Sequence, residues 1–153
     1  MNAKNKMNKL IFLFFFTILI NDLLAIEKKF LTLRNNKVNL RQGPSFQYPV
    51  KIFYNKKYLP VIIEDRSENF RKIRDHQNNS GWIHISQLSK KKAAITIVDD
   101  VIVFKGPTIY SKPQVKLEKG RLCLIYKCKG KWCKIKTGDY KGWVKNQSLW
   151  GRL

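Results

Sequence analysis

The strongest constraint on this chain is that it says nearly the same thing twice. Shifted by 63 residues, Gly43-Pro44 falls on Gly106-Pro107 and Leu59 on Leu122. A shift of 62 carries Phe70 onto Trp132 and Ile73 onto Ile135. A shift of 61 carries Gly81-Trp82-Ile83 onto Gly142-Trp143-Val144 and Leu88 onto Leu149. Two single-residue deletions in polar, turn-like stretches account for the drift. Small, aromatic and aliphatic residues that keep their order over such a span mark an internal duplication. A duplication fixes the architecture before any single element is assigned.

Within each copy the pattern is that of strands. Leu31 and Leu33, then Val38 and Leu40, alternate with polar neighbours, a period of two rather than 3.6. Gly43-Pro44-Ser45 breaks the alternation as a turn. The β-branched run Tyr58 to Ile63 carries Pro60, which restricts that position to a strand start, an edge or a bulge. Glu64 to Asn69 and Asp75 to Gly81 read as polar turns around the short strand Phe70 to Arg74, and Trp82 to Ile85 reads as another strand. No stretch has a convincing amphipathic helical period. Short strands with frequent turn signals indicate an all-β chain of two small barrels or sandwiches. Their expected bounds are residues 30–89 and 93–151, and Ser89-Lys90-Lys91-Lys92 between them is too short to be a flexible tether. Units of this size hold little core of their own. Mutual packing or a covalent staple is therefore expected.

The first 25 residues read as a leader. Lys4, Lys6 and Lys9 precede an apolar run, Leu10 to Ile20, broken only by Thr17. That run is short of the roughly 20 residues a bilayer core requires and suits the central region of a secretory signal peptide. Cleavage is expected between Ala25 and Ile26; the alternative is an uncleaved signal anchor extending through Leu24. The chain is therefore expected to be exported, periplasmic or associated with the cell envelope. Its net charge is +21, or +19 once the three leader lysines and Asp22 are removed. Such a charge draws anionic polymers or an anionic membrane surface. The basic residues are, however, scattered through loops as well as strands, as a codon bias towards A and T would also produce. No nucleic-acid motif accompanies them, and an exported chain meets little nucleic acid.

Cys123, Cys128 and Cys133 all lie in the second copy, and export permits a disulfide. With Gly130-Lys131 at the centre of a type II′ hairpin turn, Lys129 and Trp132 close the hairpin and Cys128 stands opposite Cys133. A non-hydrogen-bonded pair places the Cα atoms about 4.5 Å apart, at the short end of the roughly 4.4–6.8 Å that a disulfide spans. A Cys128–Cys133 bridge is the expected pairing. Cys123, between Leu122 and Leu124, is expected to be a buried free thiol. His76 and His84 lie in the other copy, so neither a zinc site nor a Cys–His nucleophile is expected. No metal or cofactor follows from the sequence.

The residues also resemble a family, the bacterial SH3-like (SH3b) domain, here as a tandem pair. Val38-Asn39-Leu40-Arg41-Gln42-Gly43-Pro44 is similar to its opening motif. Phe70-Arg71-Lys72-Ile73 and Trp132-Cys133-Lys134-Ile135 are similar to its aromatic–basic–aliphatic strand, and Gly81-Trp82-Ile83 and Gly142-Trp143-Val144 to its closing strand. Tyr48-Pro49-Val50, Leu59-Pro60-Val61, Phe70 to Asp75 and Leu149-Trp150-Gly151 resemble a two-domain exported form found in alphaproteobacteria. Two departures stand out: Val101 to Lys105 lacks the Asn and Arg of the opening, and Phe70 takes the place of a Trp. The resemblance implies SH3-like barrels of five or six strands and a cell-envelope setting. It also implies a targeting or binding role and no established activity.

Alternation suggests which residues bind. With Cys133 and Ile135 inward, Trp132 and Lys134 face outward. The same count exposes Phe70 and Lys72, and Trp82 and Trp143 at least in part. Phe70, Trp82, Trp132 and Trp143 are therefore the candidate ligand-binding residues, aromatic faces for sugar rings or peptide stems with lysines for carboxylates or phosphates. The alternative is that these aromatics are buried between strands or between the barrels. The expected function is a non-enzymatic envelope binding or adaptor module, for peptidoglycan or another anionic envelope polymer. Its alternative is a protein-interaction or structural subunit of an envelope complex. Catalysis is not expected, because Glu64, Asp65, Glu68 and Asp75 show no converging pair for acid–base work.

Overall fold

The computed structural model describes residues 29–153; the leader and its expected cleavage point between Ala25 and Ile26 lie outside the described residues. Fourteen strands follow. The first seven are β1 (Phe30–Leu33), β2 (Val38–Arg41), β3 (Val50–Tyr54), β4 (Pro60–Ser67), β5 (Phe70–Arg74), β6 (Ser80–His84) and β7 (Leu88–Ser89). The second seven are β8 (Ala93–Thr96), β9 (Val101–Phe104), β10 (Pro113–Leu117), β11 (Leu122–Lys129), β12 (Trp132–Thr137), β13 (Tyr140–Lys145) and β14 (Leu149–Arg152). One turn of 3-10 helix precedes the last strand of each set, at Ile85–Gln87 and Asn146–Ser148.

The duplication is complete at the level of topology. The first sheet runs β3-β2-β6-β5-β4-β1-β7, and the second runs β10-β9-β13-β12-β11-β8-β14, the same order moved on by seven strands. Even the irregularities are copied. The long hairpin of each sheet bulges at the same place, between Ile63 and Asp65 against β5 and between Ile125 and Lys127 against β12. Each sheet has seven strands rather than five or six, because β1 and β8 pair with short closing strands, β7 and β14.

Inward positions alternate as the sequence pattern requires. Val38 and Leu40 are buried on β2, and Cys133, Ile135 and Thr137 on β12. In the first unit, Leu33, Val38, Leu40, Tyr54, Val61, Ile73, Ile83 and Leu88 draw on all seven strands yet form a single cluster. Ala94, Val101, Val103, Leu117, Cys123, Ile125, Cys133, Ile135, Val144 and Leu149 do the same in the second. A sheet whose every strand feeds one core has curled on itself, which is the barrel solution for a single antiparallel sheet. The chain is all-β: two tandem SH3-like barrels.

The glycine of each Gly-Trp pair is what lets the sheet curl. Gly81 and Gly142 lie directly under the strand that crosses them. A Cβ at Gly142 would fall 2.5 Å from the Phe104 carbonyl oxygen and from Val103 Cγ1; at Gly81 it would fall 2.7 Å from the Arg41 carbonyl oxygen. Close backbone approach of this kind admits no side chain.

Two sequence expectations are corrected. Glu64 to Asn69 is not a turn: β4 continues to Ser67, with Asp65 opposite Lys72 and Arg66 opposite Arg71. Backbone pairing with β5 and the opposite charges of Asp65 and Lys72 outweigh the low strand propensity of those residues. Only Glu68 and Asn69 turn, Glu68 with a positive φ of 44°. The strand expected over Trp82–Ile85 begins earlier, at Ser80, and ends at His84.

The barrels pack against each other. Ile95 of β8 is fully buried within the first barrel's core cluster, with Leu122 of β11 packed beside it. Phe30 meets Trp150 edge-on, the Arg152 guanidinium donates to the Phe30 carbonyl at 2.9 Å, and the Lys56 ammonium donates to the Gly120 carbonyl at 3.2 Å. The staple is present as well: Cys128 and Cys133 are bonded, with Cα atoms 4.0 Å apart and in register on β11 and β12. Gly130 has the positive φ, 55°, that the hairpin turn needs.

Candidate binding face

The aromatics singled out from sequence gather on the outer face of each sheet, where β4, β5 and β6, or β11, β12 and β13, lie side by side. Phe70 stands opposite His84, and Lys72 opposite Trp82. In the second copy Trp132 stands opposite Lys145, and Lys134 opposite Trp143. The register brings these residues together in pairs, but their exposure differs from expectation.

Phe70 is only 7% exposed and Trp143 only 9%; for these two the alternative read from sequence, burial of the ring, holds in place of the outward position expected of Phe70 and the partial exposure expected of Trp143. Phe70 is covered by the loop between β2 and β3: Phe46 and His84 each meet its ring edge-on with centroids 5.2 Å away. Arg41 pins that loop by donating to the Phe46 and Tyr48 carbonyls at 3.0 and 2.8 Å. A Cβ at Gly43 would fall 2.6 Å from the Tyr48 ring, so the glycine of the opening motif serves the loop's closure. Trp143 is flanked by Phe104, its register partner on β9, and by the Lys127 ammonium, 5.8 Å from its ring centroid. Trp82 and Trp132 remain partly exposed. Trp132 meets Phe104 edge-on at 5.7 Å.

The two faces are alike in plan and opposite in charge balance. On the first, Asp65 stands opposite Lys72, and Glu64 is ion-paired to Arg74 and accepts from the Ser80 hydroxyl. The Arg74 guanidinium, chiefly through its hydrogen bond, holds the Glu64 carboxyl below its ordinary pKa. On the second, the positions of Glu64 and Asp65 are taken by Tyr126 and Lys127. Lys127 stands opposite Lys134, and Lys136 opposite Lys141. Tyr126, Lys127, Lys134 and Lys141 line an open cleft of about 270 Å³. A second cleft of about 280 Å³ on this barrel is lined by residues that include Leu117, Glu118, Arg121 and Tyr140.

Three further titratable groups, Asp75, Cys123 and His84, have structural surroundings. Asp75 is buried and accepts from the Tyr54 hydroxyl, from the Gln77 and Asn79 backbone amides and from the Asn79 side chain, each at 2.9 Å. That fourfold acceptance orders the turn between β5 and β6. The Cys123 thiol is pushed up to about 11, chiefly by burial. His84 Nδ1 lies 2.7 Å from the Ser86 hydroxyl at the start of the 3-10 turn. Phe46, Phe104, Tyr126, Lys127 and Lys141 were not among the sequence candidates. A signal for Lys127 was present: the register that sets Cys128 opposite Cys133 also sets Lys127 opposite Lys134.

Comparison with known proteins agrees with this geometry. The family model described as the bacterial SH3 domain matches twice, at residues 34–90 and 98–151, more than half of the chain. Among curated proteins no match is found. Two solved structures from Trichomonas vaginalis, described as NlpC2 and NlpC1, are similar at 14% identity each. NlpC2 gives a TM-score of 0.37 over 82% of this chain and 48% of its own; NlpC1 gives 0.35 over 80% and 45%. The chain spans about half the length of either.

Proposed function

The chain belongs to the bacterial SH3 domain family, and on that premise we propose that it is a non-enzymatic binding module of the cell envelope, holding peptidoglycan or another anionic envelope polymer. The observation that carries this reading is the aromatic face found at the same place on both barrels, with Trp82 opposite Lys72 and Trp132 opposite Lys145, both rings partly exposed. An aromatic ring offers a stacking surface for a sugar, and a lysine a mobile charge for a carboxylate or phosphate. Two of the acids are held by partners, Glu64 by Arg74 and Ser80 and Asp75 by four donors. General acid–base work needs a carboxyl free to reach substrate. Export, inferred from the leader, would bring the module to its polymer.

The test is co-sedimentation of the purified protein with isolated cell-wall sacculi. The native chain is expected in the pellet, and Trp132→Ala is expected to reduce the pelleted fraction. Native protein that stays wholly in the supernatant overturns the reading. A second reading, a protein-interaction subunit, draws on the loop between β9 and β10, where Ile109 and the 91%-exposed Tyr110 stand together at the tip. Recovery of one stoichiometric partner from cells, lost in Tyr110→Ser, would favour it.

A further inference from the structure

We propose that the outer face of the second barrel, and not its counterpart on the first, is a docking groove for an acidic polysaccharide, seated on Lys127, Lys134 and Lys141 beside Tyr126. This rests on the envelope-binding reading and narrows it to one barrel and one class of polymer.

The argument begins with register. Like charges directly opposite one another across a strand pair repel. The second barrel does this twice in adjacent places, at Lys127 with Lys134 and at Lys136 with Lys141. The first barrel, with the same strands and the same bulge, puts Asp65 opposite Lys72 and ties Glu64 to Arg74; its one like-charged pair, Arg66 with Arg71, is the next along and so faces the other side of the sheet. Its face is internally neutralised. Among the described residues the only other ion pair joins Lys116 to Asp100, so no carboxylate satisfies Lys127, Lys134 or Lys141. An incoming row of anions would relieve the repulsion of the second face, while on the first it would have to compete with charges already matched.

Shape then selects among anions. The lysines surround a depression of about 270 Å³ rather than a protruding knob, and Tyr126 in its wall is 53% exposed. A polymer strand can lie in a depression; a flat bilayer surface reaches only its rim. The ring of Tyr126 offers the apolar face that a sugar ring stacks on. Arginine is absent from the lining, so the face lacks the rigid fork that grips a single phosphate or carboxylate in two-point fashion. Three point charges on flexible stems suit fixed negative charges spaced along a chain. Lys127 is steadied by the Trp143 ring, which leaves its ammonium 5.8 Å above the indole, and the other two lysines flank it.

The experiment measures binding of the two-barrel protein to polygalacturonate oligomers, to the same oligomers fully methyl-esterified, and to vesicles containing anionic phospholipid. Binding to the acidic oligomer is expected, weakening as salt rises, with none to the ester. The triple variant Lys127→Gln, Lys134→Gln, Lys141→Gln is expected to bind on the order of tenfold more weakly, the sum of three exposed charge contacts. The matching arginine triple should retain binding. Arg66→Gln with Lys72→Gln on the first barrel should change it less than about twofold. Lysine acetylation of the native protein gives a second readout: the oligomer should shield Lys127, Lys134 and Lys141 and not Lys72. Equal binding of the ester, unchanged affinity and acetylation at these lysines, or preference for the vesicles overturns the groove. Sacculus retention that survives the glutamine triple also falls on the groove alone. Loss of native retention with polygalacturonate binding intact falls on the envelope reading alone.

Discussion

Trp150 meets Phe30 edge-on with ring centroids 5.0 Å apart, and the two rings belong to different barrels. Arg152, two residues on, donates to the Phe30 carbonyl, so the last strand of the chain is fastened to the first. Trp150→Ala is expected to cost about 2 kcal/mol, below the roughly 3–5 typical of a fully buried aromatic because Trp150 is partly exposed. Calorimetry should show the native chain unfolding in one transition and the variant in a broadened or split one. An unchanged profile would show that the contact joins the barrels without coupling them.

Gly142→Ala tests the role assigned to the Gly-Trp pairs. Its new methyl meets the movable end of Gln114, but also the Phe104 carbonyl oxygen and Val103 Cγ1 at the same 2.5 Å, and the backbone cannot swing away. Overpacking of this kind typically costs about 1–3 kcal/mol, here by prising β9 from β13. Gly130→Ala is the contrast: nothing lies within 4 Å of its Cβ position, so its cost is that of the turn's positive φ alone. Thermal unfolding of the two variants should rank Gly142→Ala as the worse. The reverse order would remove close approach as the explanation.

The Tyr54–Asp75 hydrogen bond gives an alkaline signature. Burial, then the bond to Asp75 and its charge, raise the Tyr54 pKa far above its ordinary value. An unfolded tyrosine ionises near pH ~10. The contribution is therefore complete below that pH and is lost as pH rises beyond it, because the unfolded chain releases the proton first. Tyr54→Phe should lose about 1 kcal/mol at neutral pH, a net hydrogen bond, and show a shallower fall in stability above pH ~10. Parallel pH profiles for the two proteins would contradict this.

Reducing the Cys128–Cys133 bond should lower stability by at most about 2 kcal/mol, because the loop it closes is so short. The native chain should still fold. Cys123 should resist alkylation in the folded protein at neutral pH, since its thiol is fully buried and its pKa raised. Under denaturant and reductant three cysteines should label. Rapid labelling of native Cys123 would mean that the second core opens locally.

The duplication and the hairpin register at Cys128 and Cys133 were legible because each depends on local pattern. Turn residues and period-two alternation are written in neighbouring positions. The burial of Phe70 and Trp143 was not, because alternation gives only the face of the sheet. Whether that face is open depends on Phe46, twenty-four residues upstream and folded over Phe70, and on Phe104 beside Trp143. The strand character of Glu64 and Asp65 was hidden for a related reason. Their composition signals a turn, and only pairing with β5 overrides it. Charge balance escaped because it is a property of cross-strand pairs: Lys72 faces Asp65 on one barrel, while Lys127 faces Lys134 on the other.

Ile95 lies in the core of the barrel that precedes its own. A chain emerging N-terminus first has therefore produced every strand of the first barrel before it has produced the residue that seals that barrel's interior. Until β8 arrives, the place that Ile95 fills in this apolar cluster is empty, and partly closed β-structure with exposed apolar surface is the kind that associates wrongly. Maturation of the front half thus waits on the back half. Cutting the chain after Ser89 would leave a barrel with all seven strands and a permanently unsealed interior.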